Sequence, residues 1–156
     1  MAAQQTAAMM TWQGMASGRA AWCTLSMTVE DNRDVIARYA VAWMAGDFAA
    51  LFALYADDFV LHYGGAHRLS GTHVGKDAAL KAMGAFSAAT GRQLVAVVDT
   101  MAGENRAAQV VRERMTTPDG AREVERVFVY RIEGGLMREC WLYDSDQALI
   151  DALVGR

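Results

Sequence analysis

The chain has 156 residues, 53% of them hydrophobic and 21% charged, with a formal net charge of −3. That length suits one domain with a real core, and the composition excludes a disordered chain. Interleaved acidic and basic residues exclude a nucleic-acid footprint, and no run of about 18 apolar residues is present to cross a membrane.

Residues 1–27 have neither an amphipathic period nor the basic start and apolar stretch of a signal peptide, and are expected to be a mobile leader or an upstream extension. A single domain is expected over residues 28–156. Cys23 and Cys140 lie far apart without metal-type spacing, so a reducing cytoplasm is the expected setting.

From Glu30 to Gly46 the apolar residues Val35, Ile36, Tyr39, Ala40, Ala42 and Trp43 recur at helical spacing, with acids in the first turn and Gly46 as the stop. Asp47 can cap a second helix whose apolar positions are Phe48, Leu51, Phe52, Leu54 and Tyr55. ADDFVLHYGG reads as a short strand and turn, LSGTHVG as a loop, and Lys76–Thr90 as a third helix. LVAVVDTM, AAQVVRERMTT, REVERVFVYRI and LMRECWLYD are four strands separated by AGEN, TPDG and EGG turns, and DQALIDALV closes as a short helix. Three helices followed by an antiparallel meander predict an α+β fold, with helices on one face of a curved sheet.

Alternation in REVERVFVYRI puts Val124, Phe128, Tyr130 and Ile132 on the inner face with one charge among them, Arg126. A lone inward charge must be paired or reach water through a cavity mouth. The opposite set, Glu123, Glu125, Val127, Val129 and Arg131, suits solvent or a partner subunit.

Three chemistries find no support in the spacing. His62, His67 and His73 are arranged H-x4-H-x5-H across a strand end and a glycine-rich loop, which matches no metal-ligand motif. GGAHRLSG and GTHVGK lack the order of a phosphate-binding loop, and no nucleophile-elbow serine is present. What remains is an enclosed pocket rich in hydroxyl-bearing aromatics, Tyr39, Tyr63, Tyr130 and Tyr143, with Trp43, Phe59, Leu61, Phe128 and Trp141 as apolar wall.

RYAVAWMAGDFAALFALYADDFVLHYGG, LSGTHVGKDAAL and VFVYRIEGGLMRECWLYDSDQALIDAL resemble SnoaL-like members of the ketosteroid-isomerase-like superfamily, over residues 28–154. The resemblance implies the cone-shaped α+β roll shared with nuclear transport factor two. It implies a mostly apolar, carbonyl- or hydroxyl-bearing small-molecule ligand and a homodimer formed through the outer sheet face. It also implies isomerase, cyclase or dehydratase chemistry without metal or organic cofactor; the alternative is a non-catalytic binding or dimerisation module of the same fold.

Tyr39 stands where ketosteroid isomerases carry their oxyanion-hole tyrosine. Their proton-shuttling aspartate falls on Tyr63 and their second oxyanion donor on Phe128. The cyclases' last-strand aspartate falls on Tyr143, or on Leu142 or Asp144 if the alignment slips. The implied catalytic set is therefore Tyr39 and Tyr63 as hydrogen-bond donors, with Asp144 or His62 as base, whichever faces the cavity. Arg126 would hold an anionic substrate group or orient the aspartate.

Overall fold

The computed structural model describes residues 28–156, so the expectation for residues 1–27 lies outside the described residues. Helix α1 (Val29–Ala45) begins at a capping box: Thr28 Oγ1 accepts from the Asp31 amide, while the Asp31 carboxylate accepts from the Thr28 amide. It stops at Gly46, whose φ of +67° suits a residue without Cβ. Asp47 caps α2 (Phe48–Ala53) through the Ala50 amide. The expected second helix is thus two residues shorter than its apolar pattern: Leu54 is its C-cap, and Tyr55 opens strand β1 (Tyr55–Tyr63).

The LSGTHVG segment contains a strand not expected from its composition, β2 (Gly71–Val74), which forms an antiparallel hairpin with β1. Helix α3 (Lys76–Thr90) follows, then β3 (Gln93–Ala102), β4 (Ala107–Thr117), β5 (Gly120–Glu133), β6 (Leu136–Asp144) and α4 (Gln147–Val154). Asp146 caps α4 by accepting from the Leu149 amide at 3.0 Å.

One curved, unclosed six-stranded sheet results, in the order β2-β1-β6-β5-β4-β3. The meander β3-β4-β5-β6 is antiparallel as expected, whereas β1 joins β6 in parallel, with Leu61 opposite Cys140 and Tyr63 opposite Leu142. Register shifts in the β3–β4, β5–β6 and β1–β6 ladders mark bulges, which bend a sheet. The helices lie on the concave side. Ile36 of α1, Phe59 and Leu61 of β1, Phe86 of α3, Val111 and Met115 of β4, Tyr130 of β5 and Ile150 of α4 are all fully buried there. Each such side chain contributes about 1.5–3 kcal/mol of burial free energy.

On the convex side Arg112 pairs with Glu125 and Arg114 with Glu123, each at 2.8 Å. These four half-exposed groups add little stability, about 0–1 kcal/mol per pair. No helix among the described residues is long and apolar enough to cross a membrane.

Candidate functional site

Between α1, α2, α3 and β5 lies a cavity of about 370 Å³, within the range of small-molecule sites. Tyr39 and Trp43 of α1 line it, with Leu51 and Phe52 of α2, Leu80 and Met83 of α3, and Phe128 of β5. Its polar wall groups are Tyr39, Tyr55, Ser87 and Arg92. A second, more polar cavity of about 680 Å³ adjoins it and shares Trp43, Phe48, Ser87 and Arg92.

Tyr39 and Tyr55 come from different elements and meet hydroxyl to hydroxyl at 2.6 Å. One hydroxyl donates to the other, so the pair keeps one hydrogen for a third acceptor. Burial pushes the Tyr39 phenol up to about 12, and raises Tyr55 and Tyr130 well above the ordinary tyrosine value. These groups are therefore donors, not bases, near neutral pH. Tyr130 packs its ring 5.3 Å from that of Tyr39, and its buried hydroxyl has no hydrogen-bond partner among the described residues. The neighbouring Cys140 thiol is likewise raised by burial.

The interior charge centres on Arg126, which does not line this cavity. Arg126 is fully buried; its Nε donates to Asp144 Oδ1 and its Nη1 to Glu113 Oε2 at 3.0 Å. Glu113 Oε1 also accepts from Arg92 Nη1 at 3.2 Å. Two cations and two carboxylates thus form one hydrogen-bonded chain. The two carboxylates hold the Arg126 guanidinium protonated against the cost of burial, and its carbon lies 4.3 Å from the Phe86 ring centroid. Its Nη2 has no partner among the described residues.

Of the expected site residues, Tyr39, Trp43 and Phe128 line the cavity. Phe59, Leu61, Tyr63 and Tyr130 face inward but serve the core, and Tyr63 stacks on Phe86 at 5.5 Å. Asp144 also faces inward, yet it is held by Arg126 and only 2% exposed, so neither residue presents its charge to ligand. Corrections apply to three others. Strand parity turns His62 of β1, and Trp141 and Tyr143 of β6, to the convex face. There His62 Nε2 is 2.7 Å from Glu139 Oε1, its ring stacks on Trp141, and Tyr143 is 57% exposed. His62 is therefore no base for this cavity. His67 and His73 flank the Tyr63 ring, His67 in a loop and His73 in β2. Among the described residues no group of three His, Cys, Asp or Glu is placed to hold a metal ion.

Sequence reasoning missed Glu113, Arg92, Ser87 and Tyr55. Glu113 had a signal: it shares the parity of Val111 and Met115 in β4, all fully or almost fully buried. Arg92, just past the α3 stop at Gly91, had none.

The sequence model of the SnoaL-like domain matches residues 35–140. The chain belongs to this family. No curated protein matches it. Among solved structures, a protein of unknown function with a cystatin-like fold from Xanthomonas campestris is 26% identical (TM-score 0.72), over 83% of this chain and all of that one. TerC, co-crystallised with polyporic acid, is 13% identical with a TM-score of 0.66, over 80% of this chain and 99% of its own. A polyketide cyclase candidate from Sinorhizobium meliloti is 19% identical with a TM-score of 0.55, over 75% of this chain and all of its own. These neighbours share the chain's fold.

Proposed function

We propose that the protein binds a mostly apolar small molecule bearing a carbonyl or hydroxyl oxygen, in the cavity between α1, α2, α3 and β5. The observation that carries this is the Tyr39–Tyr55 hydroxyl pair, contributed by two residues that line a mostly apolar cavity. The pair's spare hydrogen is offered to the ligand oxygen, and burial keeps both phenols protonated. TerC and the Sinorhizobium protein, one co-crystallised with a small organic acid and the other a cyclase candidate, support a ligand of this kind.

The chemistry open to such a site is stabilisation of a developing enolate or phenolate. Turnover as an isomerase, cyclase or dehydratase also needs a base within hydrogen-bond reach of the departing proton. No carboxylate lines this cavity among the described residues, and Asp144 and Glu113 are engaged by Arg126. That engagement favours ligand binding over proton abstraction. The catalytic reading survives as a second one, with Asp144 released from Arg126 as its base.

Titration of 2-naphthol against 2-methylnaphthalene, which has the same outline without the oxygen, tests the assignment by ligand-observed NMR. Tighter binding of the naphthol, lost in Tyr39→Phe, is expected. Equal binding of the two, or an advantage unchanged in Tyr39→Phe, sinks it.

The convex sheet face is proposed as a homodimer surface. Met101 of β3 is exposed, and Val127 and Val129 of β5 are half-buried in the single chain. Sedimentation velocity tests it: Val129→Glu should shift a dimer to monomer, and a wild-type monomer at high concentration rules the surface out.

A further inference from the structure

We propose that Arg92 selects for a carboxylate on the ligand, so that the ligand class is an aromatic or apolar acid carrying its carbonyl or hydroxyl oxygen at the opposite end. This rests on the small-molecule reading above and names its substrate class.

Arg92 lines both the apolar cavity and the more polar one beside it, where the two meet. Two of its three guanidinium nitrogens are fixed: Nε donates to Ser87 Oγ at 2.8 Å and Nη1 to Glu113 Oε1 at 3.2 Å. Nη2 has no acceptor among the described residues, and the side chain is 17% exposed. The guanidinium carbon lies 5.9 Å from the Trp43 ring centroid and 5.5 Å from that of Phe86, so aromatic walls brace it.

Among the described residues the only other charged group lining the two cavities is Glu113, and it cannot serve as the recognition group. Its side chain is 1% exposed, and its two oxygens accept from Arg92 and Arg126. Along the chain Asp144, Arg126, Glu113, Arg92 the charges alternate in sign. Arg126 has an anion on each side; Arg92 has an anion on one side only and faces cavity on the other. A ligand anion at Nη2 continues the alternation, whereas an amine would meet a like charge. A single free nitrogen among mostly apolar walls suits a monoanion, and a carboxylate provides one. The charged partner that sequence reasoning assigned to Arg126 is thereby assigned to Arg92, because Arg126 is sealed.

Calorimetric titration with 6-hydroxy-2-naphthoate, its methyl ester and 2-naphthol tests this in wild type and Arg92→Gln. The acid should bind wild type about tenfold more tightly than the ester or naphthol, a ratio typical of one charge-assisted hydrogen bond. In Arg92→Gln that advantage should vanish, the acid binding no more tightly than its ester in the same variant. An advantage that survives in the variant, or no advantage in wild type, overturns the proposal. If Arg92→Gln fails to fold, the acid-to-ester ratio in wild type decides, and a ratio near one overturns it. Naphthol binding without preference for the acid fails this inference alone; no binding by any probe fails the cavity assignment as well.

Discussion

Asp144 accepts a hydrogen bond from Arg126, and neither side chain reaches solvent: they are 2% and 0% exposed. The carboxylate that best survives comparison with catalytic relatives is thus held by the one inward charge of β5. Its partner Glu113 reaches the same guanidinium from β4, so three adjacent strands are tied together inside the roll.

Replacing Arg126 leaves two buried carboxylates without their cation. Arg126→Leu should lose about 3–5 kcal/mol of stability, the usual cost of breaking a buried ion pair. Asp144→Asn, which keeps Glu113 on the guanidinium, should lose about 1.5–3 kcal/mol. Urea denaturation gives both values. Neither residue lines the cavity, so Asp144→Asn should bind 2-naphthol as wild type does; a large loss of affinity would show that Asp144 reaches the ligand.

Alkaline pH should unfold the protein earlier than its charge alone requires. Tyr39 titrates at about 12 when folded and near 10 when unfolded. A raised folded value means the native state holds its proton longer. The stabilisation is complete below about pH 10 and is lost as pH rises from there towards 12. Urea midpoints at pH 9 and about pH 11 should differ less in Tyr39→Phe than in wild type.

Acid should act through His67. Burial lowers its basicity, and Nδ1 accepts from the Leu69 amide while Nε2 is buried without a partner among the described residues. The unfolded histidine takes a proton near pH 6.5 and the folded one only at lower pH. Stability should therefore fall as pH drops below about 6.5 and level off below the folded value. His67→Gln should flatten that part of the pH profile, read as urea midpoints from pH 7.5 to 5.

Two glycines should respond in opposite directions to alanine. Gly65 has φ +84°, and a Cβ there would sit 2.1 Å from Gln147 Nε2 and 2.3 Å from Asp151 Oδ1. Gly65→Ala should cost more than about 1 kcal/mol and loosen α4, whose Asp151 accepts from the Ala66 amide. Gly84 lies within α3 on the cavity wall, with open space where its Cβ would stand. Gly84→Ala should stabilise the helix by about 0.5–1 kcal/mol and weaken 2-naphthol binding. Thermal melts and titrations of the two variants check both.

The helices were legible because capping residues and apolar spacing agree, as at Asp47 and Gly46. The β5 faces were legible because Arg126 stands alone among apolar residues of one parity. Strand β6 gave no such contrast: Trp141 and Tyr143 on one side are as apolar as Cys140 and Leu142 on the other, and only packing decides between them. Tyr55 was read as helical because an aromatic in register with Phe52 satisfies a helix as well as a strand start. The cavity's polar end was illegible for a different reason. Arg92 belongs to no periodic segment, and its role arises from Ser87, Glu113 and Trp43, which three separate elements deliver.

The parallel seam between β1 and β6 has a consequence for how the chain comes off the ribosome. Contacts across it, such as His62 with Glu139, join residues 77 positions apart. Until β6 has emerged, the β1–β2 hairpin has no strand to dock on, and Leu61 and Tyr63 have no finished core to enter. Folding of the first half must wait for the last strand, so the nascent chain carries exposed apolar surface through most of its synthesis. The cavity, lined in part by Phe128 of β5, comes into existence only late in that sequence.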